Sequence, residues 1–176
     1  RITRIYQPHM ERIINFEIEH LDEMGDLCTK TLIVELMGKH SNIIFCNSEG
    51  MIIDSIKHVS AMMSSIREVL PGRTYCIPAT QDDKLNPIEA TEEAFMESVM
   101  TKPTSITKAI YTSFTGISPV IATEICYRAS IDGDMPVDSL DADGKKHLFN
   151  NFSWLMEDVA NHNYCPNIVT RGKEPV

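Results

Sequence analysis

The 176-residue sequence holds a single tryptophan, no CxxC pair, and no apolar run near the ~18 residues that cross a bilayer. No basic stretch leads into a short apolar segment, so a secretory leader is not indicated and the chain reads as soluble, with no membrane partner. Five cysteines (Cys28, Cys46, Cys76, Cys126, Cys165) are odd in number and scattered, which argues against a closed disulfide framework. They read as small buried hydrophobes in a reducing, cytoplasmic compartment. Six histidines stand without HxxxH or any other ligand spacing, so neither a metal nor a cofactor is expected. Positive charge is also scarce, with 16 Lys and Arg against 25 Asp and Glu. A net charge of −9 weighs against nucleic-acid binding through the overall field. The deficit is uneven, however: residues 1–75 carry 8 bases against 10 acids, and residues 76–176 carry 8 against 15. An anion site therefore belongs in the first half or at a helix N-terminus.

The chain opens at Arg1 in the strand-like "RITRIYQ", without an initiator methionine, and reads as a piece of a longer protein. To about Tyr75 the apolar spacing is period two. "RIINFEIE" sets Ile14, Phe16 and Ile18 on one face, and "TLIVELM" does the same with Leu32, Val34 and Leu36. Asn47-Ser48-Glu49-Gly50 suits a hairpin connection, and Pro71-Gly72 a turn leading into another short strand. After Pro78 the period becomes helical. Asn86 as N-cap and Pro87 at the first position start one helix, "SITKAIYTSF" and "SPVIATEICYRAS" form two more, and a last runs from about Asp143 to His162. Leu148, Phe152, Leu155 and Val159 form its apolar stripe, and "NYCPNIV" returns extended. The expected class is α+β: residues 1–78 an antiparallel, β-sandwich-like part, residues 79–176 a helical part.

Between two strands lies Gly38-Lys39-His40-Ser41-Asn42. Its Gly-Lys lacks the upstream glycine and following helix of a phosphate-binding loop, so that reading fails. His40 and Ser41 are neighbours on an extended chain and point apart, which excludes a nucleophile dyad. What remains is a bulge or turn in which Gly38 relieves a steric constraint and Asn42 caps. Glu11-Arg12, Lys57-His58 and Arg67-Glu68 read by default as solvated charges. In "FTGISPVIATEI", Gly116, Ile117 and Ser118 form the skeleton of a helix-hairpin-helix, whose backbone N–H groups can meet a phosphate as readily as they can form an ordinary corner.

"VELMGKHSNIIF", "IIDSIKHVS", "SIREVLPGRTYCIP" and "GISPVIATEI" stand in consistent order between about Tyr6 and Arg128. Together they resemble the NFACT family, in its bacterial fibronectin-binding protein A/RqcH group. The resemblance implies the later part of the NFACT N-terminal domain plus its helix-hairpin-helix, in a fold related to the formamidopyrimidine-DNA glycosylases but without their chemistry. It implies a non-catalytic RNA-binding module of a ribosome-associated quality-control factor. Such factors bind the large ribosomal subunit obstructed by peptidyl-tRNA, engage tRNA, and in bacteria support C-terminal alanine tailing from alanyl-tRNA. The family's tRNA-recognising Asp-Arg pair matches Glu11-Arg12, with an acid one methylene longer. Arg12 can grip a phosphate or base edge bidentately with Glu11 orienting it, and Lys39, His40, Ser41 and Asn42 can line the same groove. A second reading, from the older family name, is a surface adhesin that binds fibronectin. An enzyme acting on nucleic acid is disfavoured, because no nucleophile, base and orienting group converge.

Overall fold

The computed structural model describes residues 1–78, 84–166 and 168–175. It divides into two compact units, Arg1–Asp83 and Lys84–Val176.

The first unit is one antiparallel meander in strand order β1 (Ile2–Tyr6), β2 (Ile13–Leu21), β3 (Leu27–Glu35), β4 (Asn42–Cys46), β5 (Ile52–Ser55). The period-two pattern holds, but the face that forms the core is not the one with the longer apolar run. Ile14, Phe16 and Ile18 do share a face with Leu32 and Val34, and that face is only half-buried. The fully buried face carries Ile13, Ile33, Ile44, Cys46 and Ile52, closed over by Val69. Alternation fixes which residues go together; which side is covered depends on the 56–76 segment folding back. That segment crosses the core through the isolated bridges Val59↔Val69 and Met51↔Thr74 and forms no continuous strand at "VLPGRTYCIP". Asn47 closes the β4–β5 connection by accepting from the N–H groups of Glu49 (3.0 Å) and Met51 (2.8 Å). In place of a two-layer sandwich, the described residues of this unit hold a single sheet.

The second unit packs α1 (Glu92–Val99), α2 (Ile106–Ser113), α3 (Pro119–Arg128) and α4 (Ala142–Ala160) around Phe95, Phe114 and Phe152, whose ring centroids lie 4.7–5.9 Å apart. Leu148 and Phe152 are buried on the expected stripe of α4, and Leu155 and Val159 pack beside them. The single helix expected from Asn86 is instead two pieces. Asn86 caps only a short 3-10 turn, Pro87–Glu89, the backbone turns extended at Ala90, and the Thr91 hydroxyl then caps α1 through Ala94 N–H. Asp141, accepting from Gly144 N–H at 2.8 Å, starts α4 slightly before Asp143. The described part of "NYCPNIV" contains no strand; Asn167 lies outside the described residues, and a small hairpin, β6 (Thr170–Arg171) with β7 (Glu174–Pro175), follows. Of the cysteines, Cys46 and Cys126 are buried, Cys28 is half-buried, and Cys76 and Cys165 are exposed, contrary to the expectation that all are buried.

Candidate functional site

Gly38–His40 is a 3-10 turn between β3 and β4, closed by Ser41 N–H on Gly38 C=O (3.0 Å). Gly38 adopts φ 58°, where a Cβ would be strained, so glycine is needed here for conformation. The Ser41 hydroxyl accepts from Met37 N–H at 2.9 Å and locks the entrance of the turn. Asn42 is 6% exposed and does not cap the turn. Its Nδ2 donates to Lys57 C=O (2.9 Å) and its Oδ1 accepts from Lys57 N–H (3.0 Å), so the side chain acts as a rung of backbone pairing across the sheet end.

These elements surround an open cavity of about 690 Å3 wholly inside the first unit. Arg12, Lys39, His40 and Asn42 line it, together with Lys57, His58 and Arg67. Met37, Val59, Met63, Ile66, Val69 and Pro78 supply an apolar wall. Arg12 sits just before β2, tied in place by its carbonyl, which accepts from Leu36 N–H at 2.8 Å. Glu11 and Ser41 are not on the wall; Glu11 is half-buried, with its N–H on Pro8 C=O (3.1 Å). Four of the eight Lys and Arg residues in 1–75 thus gather at one cavity of an acidic chain, which answers the overall field with a local one.

Behind the wall lies a buried ionic network. Glu35, 1% exposed, takes both carboxylate oxygens to Arg67 Nη2 (2.6 and 2.5 Å) and accepts from Tyr75 Oη (2.9 Å), while Arg67 Nη1 donates to Cys76 C=O. Burial, the largest single influence, would lower the Arg67 pKa, but the hydrogen bond and charge of Glu35 together with Tyr75 outweigh it and the guanidinium is held more firmly charged. Burial, then the Glu35 charge, pushes the Tyr75 phenol well above its ordinary range. Arg67 is therefore already neutralised by Glu35. The charge available to a ligand comes from Arg12, Lys39 and Lys57. On the rim, His58 Nε2 lies 2.9 Å from Asp54 Oδ1, and the bond holds the Asp54 carboxyl below its usual value.

An apolar wall beside exposed cations suits a ligand with a flat, weakly polar part and an anionic backbone. Sequence reasoning missed Lys57, His58 and Arg67 by assigning them to solvent. The only hint was that "IKHV" and "IREV" lie inside the stretches that resembled a family.

In the second unit, Phe114–Ser118 joins α2 to α3. Gly116 has φ 76° and is exposed, Ile117 is buried, and the Ser118 hydroxyl accepts from Ile121 N–H at 3.3 Å. No partner of the Gly116, Ile117 or Ser118 N–H is found among the described residues. Nor do three or more His, Cys, Asp or Glu side chains cluster as a metal site among them.

The family model described as NFACT N-terminal and middle domains matches residues 1–176. The Rqc2 homolog RqcH of Bacillus subtilis (strain 168) is 37% identical over 175 residues, covering 98% of this chain and 29% of that protein. The Rqc2 homolog RqcH of Streptococcus suis (strain 05ZYH33) is 40% identical over 132 residues, covering 74% and 24%. The chain thus spans less than a third of the length of these relatives. Among solved structures, the N-terminal part of the fibronectin/fibrinogen-binding protein from Streptococcus suis superposes with a TM-score of 0.67 at 32% identity, covering 99% of this chain and 57% of that one. The fibrinogen binding protein from Staphylococcus aureus gives 0.72 at 29% identity, covering 95% and 55%.

Proposed function

Because this chain belongs to the family of NFACT N-terminal and middle domains, we propose that it is the RNA-binding part of a cytoplasmic ribosome quality-control factor. In this reading the whole protein binds large ribosomal subunits obstructed by peptidyl-tRNA, accepts alanyl-tRNA and supports alanine tailing. The chain's own share is recognition without catalysis: it engages tRNA. The observation that carries the reading is the cavity that collects Arg12, Lys39 and His40 beside an apolar wall, in a chain of net charge −9. Arg12 offers a bidentate fork to a phosphate or base edge, Lys39 a point charge, and His40 a titratable imidazole. Glu11 orients the approach to Arg12 from outside the wall, and Ser41 and Asn42 act by fixing the turn and its neighbour. Gly116, Ile117 and Ser118 form the hairpin of a helix-hairpin-helix in a glycosylase-like arrangement and offer their N–H groups to a second phosphate.

Arg12→Ala in the full-length protein tests this. Loss of a bidentate contact costs roughly 1–3 kcal/mol of binding, so tRNA affinity should fall about five- to a hundredfold and tailing with it. The melting temperature should stay put, since an exposed charge usually changes stability by about 0.5 kcal/mol or less. Undiminished tRNA binding and tailing would end the reading. The names of the solved relatives favour a second one, an adhesin for fibronectin or fibrinogen. Saturable binding to immobilised fibronectin that Arg12→Ala and Lys39→Ala leave intact, with no tRNA binding, would select it.

A further inference from the structure

Lys57 is held more completely than an exposed lysine needs to be. Both of its backbone polar groups are taken by the Asn42 side chain, at 2.9 and 3.0 Å, and its carbonyl also accepts from Ser55 Oγ at 3.1 Å. Its ammonium donates to Lys39 C=O at 3.3 Å, on the 3-10 turn itself. That last bond brings a second cation onto the wall that already carries Lys39. A lysine left to solvent would keep its side-chain freedom. Arg67 is neutralised by Glu35, so it does not duplicate the charge.

From these contacts we infer that Lys57 is a further anion-binding residue of the cavity, taking a phosphodiester of the bound RNA, and that Asn42 is its positioning residue. The inference rests on the RNA reading of the cavity. Asn42 spends Oδ1 on the N–H groups of Lys57 and Ile43 and one Nδ2 N–H on Lys57 C=O, so most of its bonding capacity goes to the backbone it holds. With the Lys57 backbone fixed, the ammonium needs only a short swing from Lys39 C=O to an incoming phosphate oxygen. The exchange replaces a neutral acceptor with a charged one, the stronger bond.

The test is a set of full-length variants, Arg12→Ala, Lys39→Ala, Lys57→Ala, Lys57→Arg, Asn42→Ala and the Asn42→Ala/Lys57→Ala pair. Each is titrated with labelled tRNA over a salt series and checked by thermal melting. Lys57→Ala should weaken binding about three- to tenfold and lower the slope of log affinity against log salt by about one, whatever the tRNA sequence. Lys57→Arg should keep the slope. Asn42→Ala alone should weaken binding, and in the Lys57→Ala background it should cost less than about twofold further, because both changes remove one interaction. A buried structural role for Asn42 would lower the melting temperature but leave the two binding effects additive. Unchanged affinity and slope in Lys57→Ala, with Arg12→Ala and Lys39→Ala impaired, would overturn this inference and leave the RNA reading standing. Unchanged binding in all three would overturn the RNA reading itself. Should Asn42→Ala fail to fold, the Lys57 pair of variants still decides the role of the lysine, and additivity is read with Asn42→Ser.

Discussion

Glu35 is the residue on which the cavity wall depends most. Its carboxylate is fully buried, and its partners Arg67 and Tyr75 lie 32 and 40 positions away in the chain. That separation is why the network was illegible in the sequence: Arg67 beside Glu68 reads as a solvated pair, and only the fold brings it to Glu35. Removing one partner of a buried, hydrogen-bonded ion pair strands the other charge and costs about 3–5 kcal/mol. Glu35→Ala should therefore lower the stability of the first unit by about that amount in urea titrations, whereas Lys57→Ala should change it by about 0.5 kcal/mol or less. Equal effects would mean that the network contributes nothing. Tyr75 adds a pH dependence. Its phenol is pushed up by burial and by Glu35, so between the ordinary value of 10.0 and the raised one the folded chain keeps a proton that the unfolded chain releases. The unfolded state then binds fewer protons, and stability falls as pH rises from about 10. Tyr75→Phe should flatten that alkaline limb and leave the slope near neutrality alone, measured by urea midpoints from pH 8 to 11.

At the scale of elements, periodicity and capping residues found the five strands that form, though not the absence of a sixth at 69–78, together with the 38–42 turn, the helix start at Ser118 and, two residues late at Asp143, that of α4. They failed where two signals competed. Asn86-Pro87 is a sound start, yet Thr91 a few residues on is a second one, and the chain uses both by breaking at Ala90. They also could not tell which sheet face is the core, because both faces of β2 and β3 carry aliphatic side chains, Ile13 and Ile33 on one and Ile14, Leu32 and Val34 on the other, and the cover comes from 56–76. The loop between α3 and α4 offers a sharper test of packing. Gly133 accepts from Thr107 N–H at 3.0 Å, and a Cβ there would lie 2.1 Å from Thr107 Oγ1 and 3.2 Å from Cys126 Sγ. Gly133→Ala should destabilise by about 1–3 kcal/mol through overpacking. Thr107→Ala removes the offending hydroxyl, so the double variant should recover part of the loss. Additive losses in the pair would place the strain elsewhere than at this contact.

The whole chain has two cores of unequal size, and that inequality sets how it should come apart. Among the described residues the helical unit buries fifteen apolar side chains in one cluster, with four phenylalanine rings in or against it. The sheet unit buries six, in a cluster spread along the sheet and under the 56–76 segment. At roughly 1.5–3 kcal/mol for each fully buried large apolar side chain, the difference far exceeds any ionic contribution, so the sheet unit is the weaker one. It is also the unit that carries Glu35, a charge that must stay paired while buried. The sole tryptophan, Trp154, lies on α4 in the helical unit and serves as its fluorescent probe. In a urea titration, the amides of β2, β3 and β4 should therefore lose hydrogen-exchange protection before Trp154 fluorescence changes. Glu35→Ala should move the first transition to lower urea and leave the Trp154 midpoint unmoved, while Gly133→Ala should do the reverse. Coincident transitions that both variants shift together would show that the two units unfold as one cooperative body. In that case damage to the helical core would reach Arg12, Lys39 and Lys57, and a loss of tRNA binding in any core variant would have to be read as unfolding.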